Sequence, residues 1–217
     1  RINLENFVIH ATVVKQDAPA NDDTSIYHIF ERLNSGGRKL SPQEIRTAVY
    51  HGPFIECISQ LNDHDSWRQI YGRVNERMKD QELIVRYFSM LEGYESYESP
   101  MKEFLNRFAK KHRDDRNGIL GEYADLFKQS CDIFLRAVNG RPFRRTTAIN
   151  VAFFEAAMVG LTEKIRRDGI PEDEFVREKY TLLMSDQDFS EAISQSTANR
   201  STVLARMEIA KNVFMEE

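Results

Sequence analysis

The stretch Phe30 to Arg46, FERLNSGGRKLSPQEIR, carries the residue types and spacing best suited to chemistry. Gly36 and Gly37 let backbone N–H groups approach a ligand without side-chain obstruction. Arg32, Arg38, Lys39 and Arg46 supply positive charge, while Asn34 and Ser35 add neutral donors and acceptors. The helix expected to follow points the positive end of its dipole toward the same place. Such a set can hold a phosphate or another acidic group. A helix, a glycine stop and a second capped helix are also how an ordinary helical hairpin is built, so the short motif leaves both readings open.

The elements that must position these residues are legible around them. Ile26, Ile29, Phe30 and Leu33 fall at i, i+3, i+4 and i+7, an apolar helical stripe capped by Asp22, Asp23 or Thr24. Ser41 is a natural N-cap for the next helix, Pro42 is tolerated at its first position, and Glu44 completes a capping box. Gly52-Pro53 ends it. Further helices are expected around Leu83–Leu91, around Phe104–Phe108, and over Ile119–Val138, Thr147–Arg166, Phe175–Met184, Asp188–Ser194 and Thr202–Phe214. The very apolar 147–166 segment belongs in the core. Gly93 to Pro100 is expected to be a flexible loop and the divide between two helical halves. Asn6 to Val14 reads as one β-strand, with Phe7, Ile9, Ala11 and Val13 on one face. A lone strand is not stable. The expected fold is therefore mainly α: a multi-helix domain over residues 24–217, preceded by residues 1–23 with strand 6–14, which belongs to a sheet formed upstream. The absence of Met at Arg1 agrees with that expectation.

Composition narrows the function classes. Among 217 residues, 41% are hydrophobic and 29% charged, enough for a sizeable core beneath a solvated helical surface. The net charge of -4 argues against an autonomous, sequence-independent DNA-binding protein, whose affinity comes from neutralising phosphates. Cys57 and Cys131 stand in no CxxC and have no His at ligand spacing, so no structural zinc site is expected. No apolar run approaches a bilayer span and no signal peptide is visible, which leads to the expectation of a cytoplasmic protein without a membrane partner.

Other candidates are weaker. Asp63-His64-Asp65 could meet a metal, but adjacent side chains diverge, and no metal site is expected. Arg141-Pro142-Phe143-Arg144-Arg145 is a compact basic loop; Arg144 and Arg145 could touch nucleic acid or phosphate, or simply be solvated. Lys110 to Arg116 mixes both signs and reads as a solvated helix end. Arg200 and Arg206, with Ser194, Ser196, Thr197 and Ser201, form a second polar and cationic cluster at a helix start, explicable as capping or as a phosphate contact. No Ser-His-Asp or Cys-His arrangement is legible, and no catalytic residue is assigned.

The Phe30–Arg46 string resembles the signature FERLNxGGxxLxxQEIR of domain-of-unknown-function family 262, best known as the N-terminal domain of GmrSD-type modification-dependent restriction enzymes. Downstream, Asp80 to Phe88 (DQELIVRYF) is similar to the family's D-x-E-L-x-x-R-F stretch. Ser194 to Arg206 is similar to its Ser/Thr-rich turn and terminal Arg helix. The resemblance implies an upstream ParB/sulfiredoxin-like sheet bearing a DGQQR motif, nucleotide binding and hydrolysis, and in some members DNA nicking. Neither DGQQR nor an HNH-type nuclease motif occurs in this chain, so it corresponds to the later, helical part, with no activity expected alone. The implied cofactor is an NTP, with Mg2+, held together with upstream residues. The implied partners are the upstream half of the domain, a nuclease domain or subunit, DNA through the full-length protein, and a second copy in a homo-oligomer, in a bacterial defence setting. Phe30, Arg32, Asn34, Gly36, Gly37, Gln43, Glu44 and Arg46 match the motif, with Ser35 inside it. By the resemblance, Arg32 and Asn34 face the nucleotide while Gln43, Glu44 and Arg46 shape the pocket. The competing expectation is a non-enzymatic helical module that docks another protein, with the Gly-Gly turn purely structural.

Overall fold

The computed structural model describes residues 24–33, 39–138 and 140–216. Strand 6–14, the Gly36-Gly37 turn, Asn34, Ser35 and Arg38 lie outside the described residues. Among the described residues the chain is mainly helical, as expected. The helices are α1 (Thr24–Leu33), α2 (Pro42–Val49), α3 (Pro53–Asn62), α4 (Asp65–Tyr71), α5 (Lys79–Gly93), α6 (Met101–His112), α7 (Ile119–Ala137), α8 (Val151–Asp168), α9 (Asp173–Ser185), α10 (Gln187–Ala192) and α11 (Arg200–Met215). None of them is long and apolar enough to cross a membrane.

Local chemistry explains where α2 begins. The Ser41 hydroxyl accepts from the Glu44 amide at 3.2 Å, and the Glu44 carboxylate accepts from the Ser41 amide at 2.5 Å. Two of the donors at the helix start are thereby satisfied. The Ser41 hydroxyl also donates to the Arg77 carbonyl at 2.9 Å, which ties α2 to the approach to α5.

Helix α8 is buried almost all round, from Ala152 to Ile165. It starts at Val151 rather than Thr147 because the preceding residues are held in another conformation. Arg144 and Ile149 form an isolated antiparallel bridge, and the Asn150 amide donates to the Phe143 carbonyl at 2.8 Å. Phe143 sits at a positive φ of 63° with its ring fully buried. The Asn150 side chain then caps the Phe153 amide at 3.0 Å. On the other side of α8, α11 lies very close: a Cβ on Gly160 would come within 2.9 Å of the Ala210 carbonyl oxygen and 2.8 Å of Phe214.

The core runs from Tyr27 to Phe214. Within it Trp67 packs on Phe127 and Phe154, with ring centroids 5.6 and 5.3 Å away. Its indole N–H donates to Asn62, inside a polar knot where Arg68 and Asn62 both bond the buried Asp80 carboxylate. Residues 93–100 contain a single 3-10 turn, Tyr94–Ser96, flanked by buried tyrosine rings. The Tyr94 hydroxyl donates to Glu208 at 2.9 Å and that of Tyr97 to the Ala198 carbonyl at 2.6 Å, so both reach the α11 region.

Candidate functional site

A pocket of about 580 Å³ lies where the starts of three helices meet: Ser41 and Pro42 from α2, Lys79 from α5, and Val151 from α8. Tyr71, Leu83, Ala148 and Ile149 give it apolar surface, and Arg77, Lys79, Arg86 and Arg144 line it with positive charge. The carboxylate in the lining is Glu82. Four cationic side chains, beside the partial positive charge of three helix starts, make the wall attractive to anions.

Each cation is positioned differently. Arg77 pairs with Glu44 at 3.1 Å and also donates to the Lys39 carbonyl. The exposed Lys79 ammonium has no ion-pair partner among the described residues. Arg144 donates to the carbonyls of Thr147, Ile70 and Tyr71 at 2.7, 2.7 and 2.8 Å, so its fork is fixed but its charge meets no carboxylate among the described residues. Burial, and then the nearby Arg141, lower its pKa from the ordinary arginine value.

Arg86 belongs to a row of alternating charges that runs from the half-buried Glu82 and Arg86 into the core. Its Nε meets Glu82 at 3.1 Å and its Nη1 meets Glu155 at 2.8 Å. Glu155 passes its other oxygen to Arg206 at 2.7 Å, and Arg206 donates to the Thr197 carbonyl at 2.7 Å. Glu155 is fully buried and Arg206 only 1% exposed. Burial works against the Arg86 charge, but Glu155 and Glu82 outweigh it and its pKa is raised. A second cavity, of about 270 Å³, lies beyond Arg86 and shares both Arg86 and Val151 with the larger pocket.

The residues singled out in the sequence are distributed as follows. Arg32 is exposed on α1. Gln43 and Arg46 are fully buried and bonded to each other, and Arg46 Nε donates to Asn106 at 3.1 Å. Arg46 meets no carboxylate in hydrogen-bonding range among the described residues. One of its nitrogens, Nη2, is buried without a partner among the described residues, as are the amide nitrogens of Gln43 and Asn106. Burial lowers its pKa, and the charge of Glu82 opposes that, which places Arg46 within electrostatic reach of the pocket wall. Glu44 serves the α2 cap and Arg77. Arg144 lines the pocket, whereas Arg145 turns to Ser190 and Ser194 at 2.8 and 3.3 Å. Arg200 pairs with Glu98 at 3.0 Å and is separate from Arg206, so the cationic cluster read at the start of α11 divides between the surface and the core. Lys110 to Arg116 is not wholly solvated: His112 is buried against Phe108 and 2.5 Å from Glu92.

Sequence reasoning missed Arg77, Lys79, Arg86 and Glu155 as site residues. One signal was present: Glu155 is the lone carboxylate in the apolar run Val151–Leu161. His64 of the Asp63-His64-Asp65 triplet bonds Asp132 at 3.2 Å, and no group of three or more metal-ligating side chains occurs among the described residues. Nor does the pocket fit a divalent ion, since Glu82 is committed to Arg86 and the other charged groups lining it are cationic. No family model, curated protein or solved structure matches the chain.

Proposed function

We propose that this chain is the helical part of a nucleotide-dependent defence protein of the restriction type, and that the pocket between α2, α5 and α8 receives a nucleotide. The observation that carries the reading is the lining itself: four cationic side chains and three helix starts around apolar surface, with a single carboxylate already paired. Its volume of about 580 Å³ falls in the range of ordinary ligand pockets. The α2 helix of the family-262-like motif supplies one edge through Ser41 and Pro42, and Arg46 adds buried positive charge behind it. Phosphates suit the cationic groups, and a base suits Tyr71, Leu83 and Ile149. The bound state would then be communicated to DNA recognition or cleavage by other parts of the full-length protein.

The test is calorimetric titration of ATP and GTP into the full-length protein, with Lys79→Glu and Arg144→Gln as variants. Each replacement is expected to weaken binding about tenfold, the loss of one charge-assisted contact. Unchanged affinity in both variants would remove this pocket from consideration.

A second reading, a helical module that docks another protein, has one observation of its own. Phe30 is 44% exposed and Leu40 40% exposed at the α1–α2 edge, beside the exposed Arg32. Absence of nucleotide binding by the full-length protein, together with capture of a partner that Phe30→Ser abolishes, would favour it.

A further inference from the structure

We infer that Glu44 is an internal competitor for the larger pocket: it holds Arg77, and an anionic ligand binds by drawing Arg77 away from it. Glu44 thereby sets the affinity of the site, and binding loosens the segment that leads into α2. This rests on the pocket reading above and adds how the pocket is restrained. Arg77 lines the pocket, whereas Glu44, which meets its Nε at 3.1 Å, does not. The same guanidinium donates to the Lys39 carbonyl, so both of its partners lie on the chain entering α2.

The backbone of Arg77 is fixed independently of its side chain. Its amide donates to Asn75 Oδ1 at 2.9 Å, and its carbonyl accepts from the Ser41 hydroxyl at 2.9 Å. Rotation of the side chain alone can therefore redirect the charge, with the fold around it unchanged. The cost of release is also low. The Arg77 and Glu44 side chains are 25% and 19% exposed, so water reaches a carboxylate left behind, and Glu44 still accepts from the Ser41 amide. Ion pairs open to solvent are weak, and a ligand with two or more negative charges outbids a single carboxylate. Arg86, the other paired arginine in the lining, is the contrasting case. It also holds the fully buried Glu155, and withdrawing it would strand that charge in the core. Arg77 is thus the member of the lining that can change partners, while Arg144 is fixed by three backbone carbonyls.

Glu44→Gln separates charge from structure, because glutamine also closes a capping box and α2 keeps its start. ATP and pyrophosphate are titrated by calorimetry into the full-length protein, in wild type, Glu44→Gln, Arg77→Gln and the double variant. Glu44→Gln is expected to tighten binding about threefold, the scale of a partly exposed ion pair, and Arg77→Gln to weaken it. In the Arg77→Gln background the gain from Glu44→Gln should disappear, since the two act through one contact. A gain that persists without Arg77 would mean that Glu44 acts only by its charge at a distance, and would overturn the competition. Unchanged or weaker binding in Glu44→Gln would overturn it too, and would leave the pocket reading standing where Lys79→Glu and Arg144→Gln still weaken binding. Binding of pyrophosphate alone, with the Glu44→Gln gain intact, would support the competition and overturn the nucleotide reading. No binding of either compound by wild type or by Glu44→Gln would overturn both.

Discussion

Glu155 has no contact with water and holds two arginines at once, Arg86 on α5 and Arg206 on α11. Removing one member of such a set leaves the others charged and unmatched in a poor solvent for charge. Glu155→Ala is therefore expected to lower stability by about 3–5 kcal/mol in urea denaturation, and Glu155→Gln by less, because the amide oxygen still accepts from one arginine. Replacing Glu155 and Arg206 together by Leu and Met should recover most of the loss; a double variant as unstable as Glu155→Ala would show that packing, not charge, dominates. Arg46 poses the converse case, a buried cation bonded to the neutral side chains of Gln43 and Asn106. The sequence drew attention to Gln43 and Arg46 through a motif, but their burial was not legible there, because Asn106 comes from α6, sixty residues on.

At the scale of elements, helices whose ends are decided by adjacent residues were legible, and those decided by distant ones were not. The cap of α2 needs only Ser41 and Glu44, both in place. The start of α8 depends on a bridge between Arg144 and Ile149 and on carbonyls at Ile70 and Tyr71 that hold Arg144, so the apolar period alone placed it four residues too early. The pocket has the same origin: its cations come from separate segments at Arg77–Arg86 and Arg144, whose juxtaposition no local pattern announces. Close packing of α8 on α11 is a further tertiary requirement. Gly160→Ala places a methyl group against the Ala210 carbonyl and the Phe214 ring, and is expected to cost about 1–3 kcal/mol in thermal or chemical melts despite the better helix propensity of alanine. A neutral or stabilising result would mean that α11 can withdraw without loss.

At the scale of the whole molecule, a chain of net charge -4 presents a locally positive pocket. The general field repels an acidic ligand while the pocket attracts it, and salt screens the two unequally: the distant repulsion is lost first and the contact attraction persists longer. On the nucleotide reading proposed above, affinity is expected to fall only a few-fold between 50 and 200 mM salt, far less than the decades lost by a protein that tracks a nucleic-acid backbone. A steep decline would instead point to DNA as the ligand of this surface. The Glu82–Arg86–Glu155–Arg206 row also gives the fold an unusual response to heat. Warming makes the hydration that buried ions forgo less valuable, whereas the gain from sequestering hydrocarbon levels off. The row joining α5, α8 and α11 therefore holds relatively harder as the protein approaches its melting point, and its loss should shorten survival at high temperature by more than a room-temperature comparison indicates.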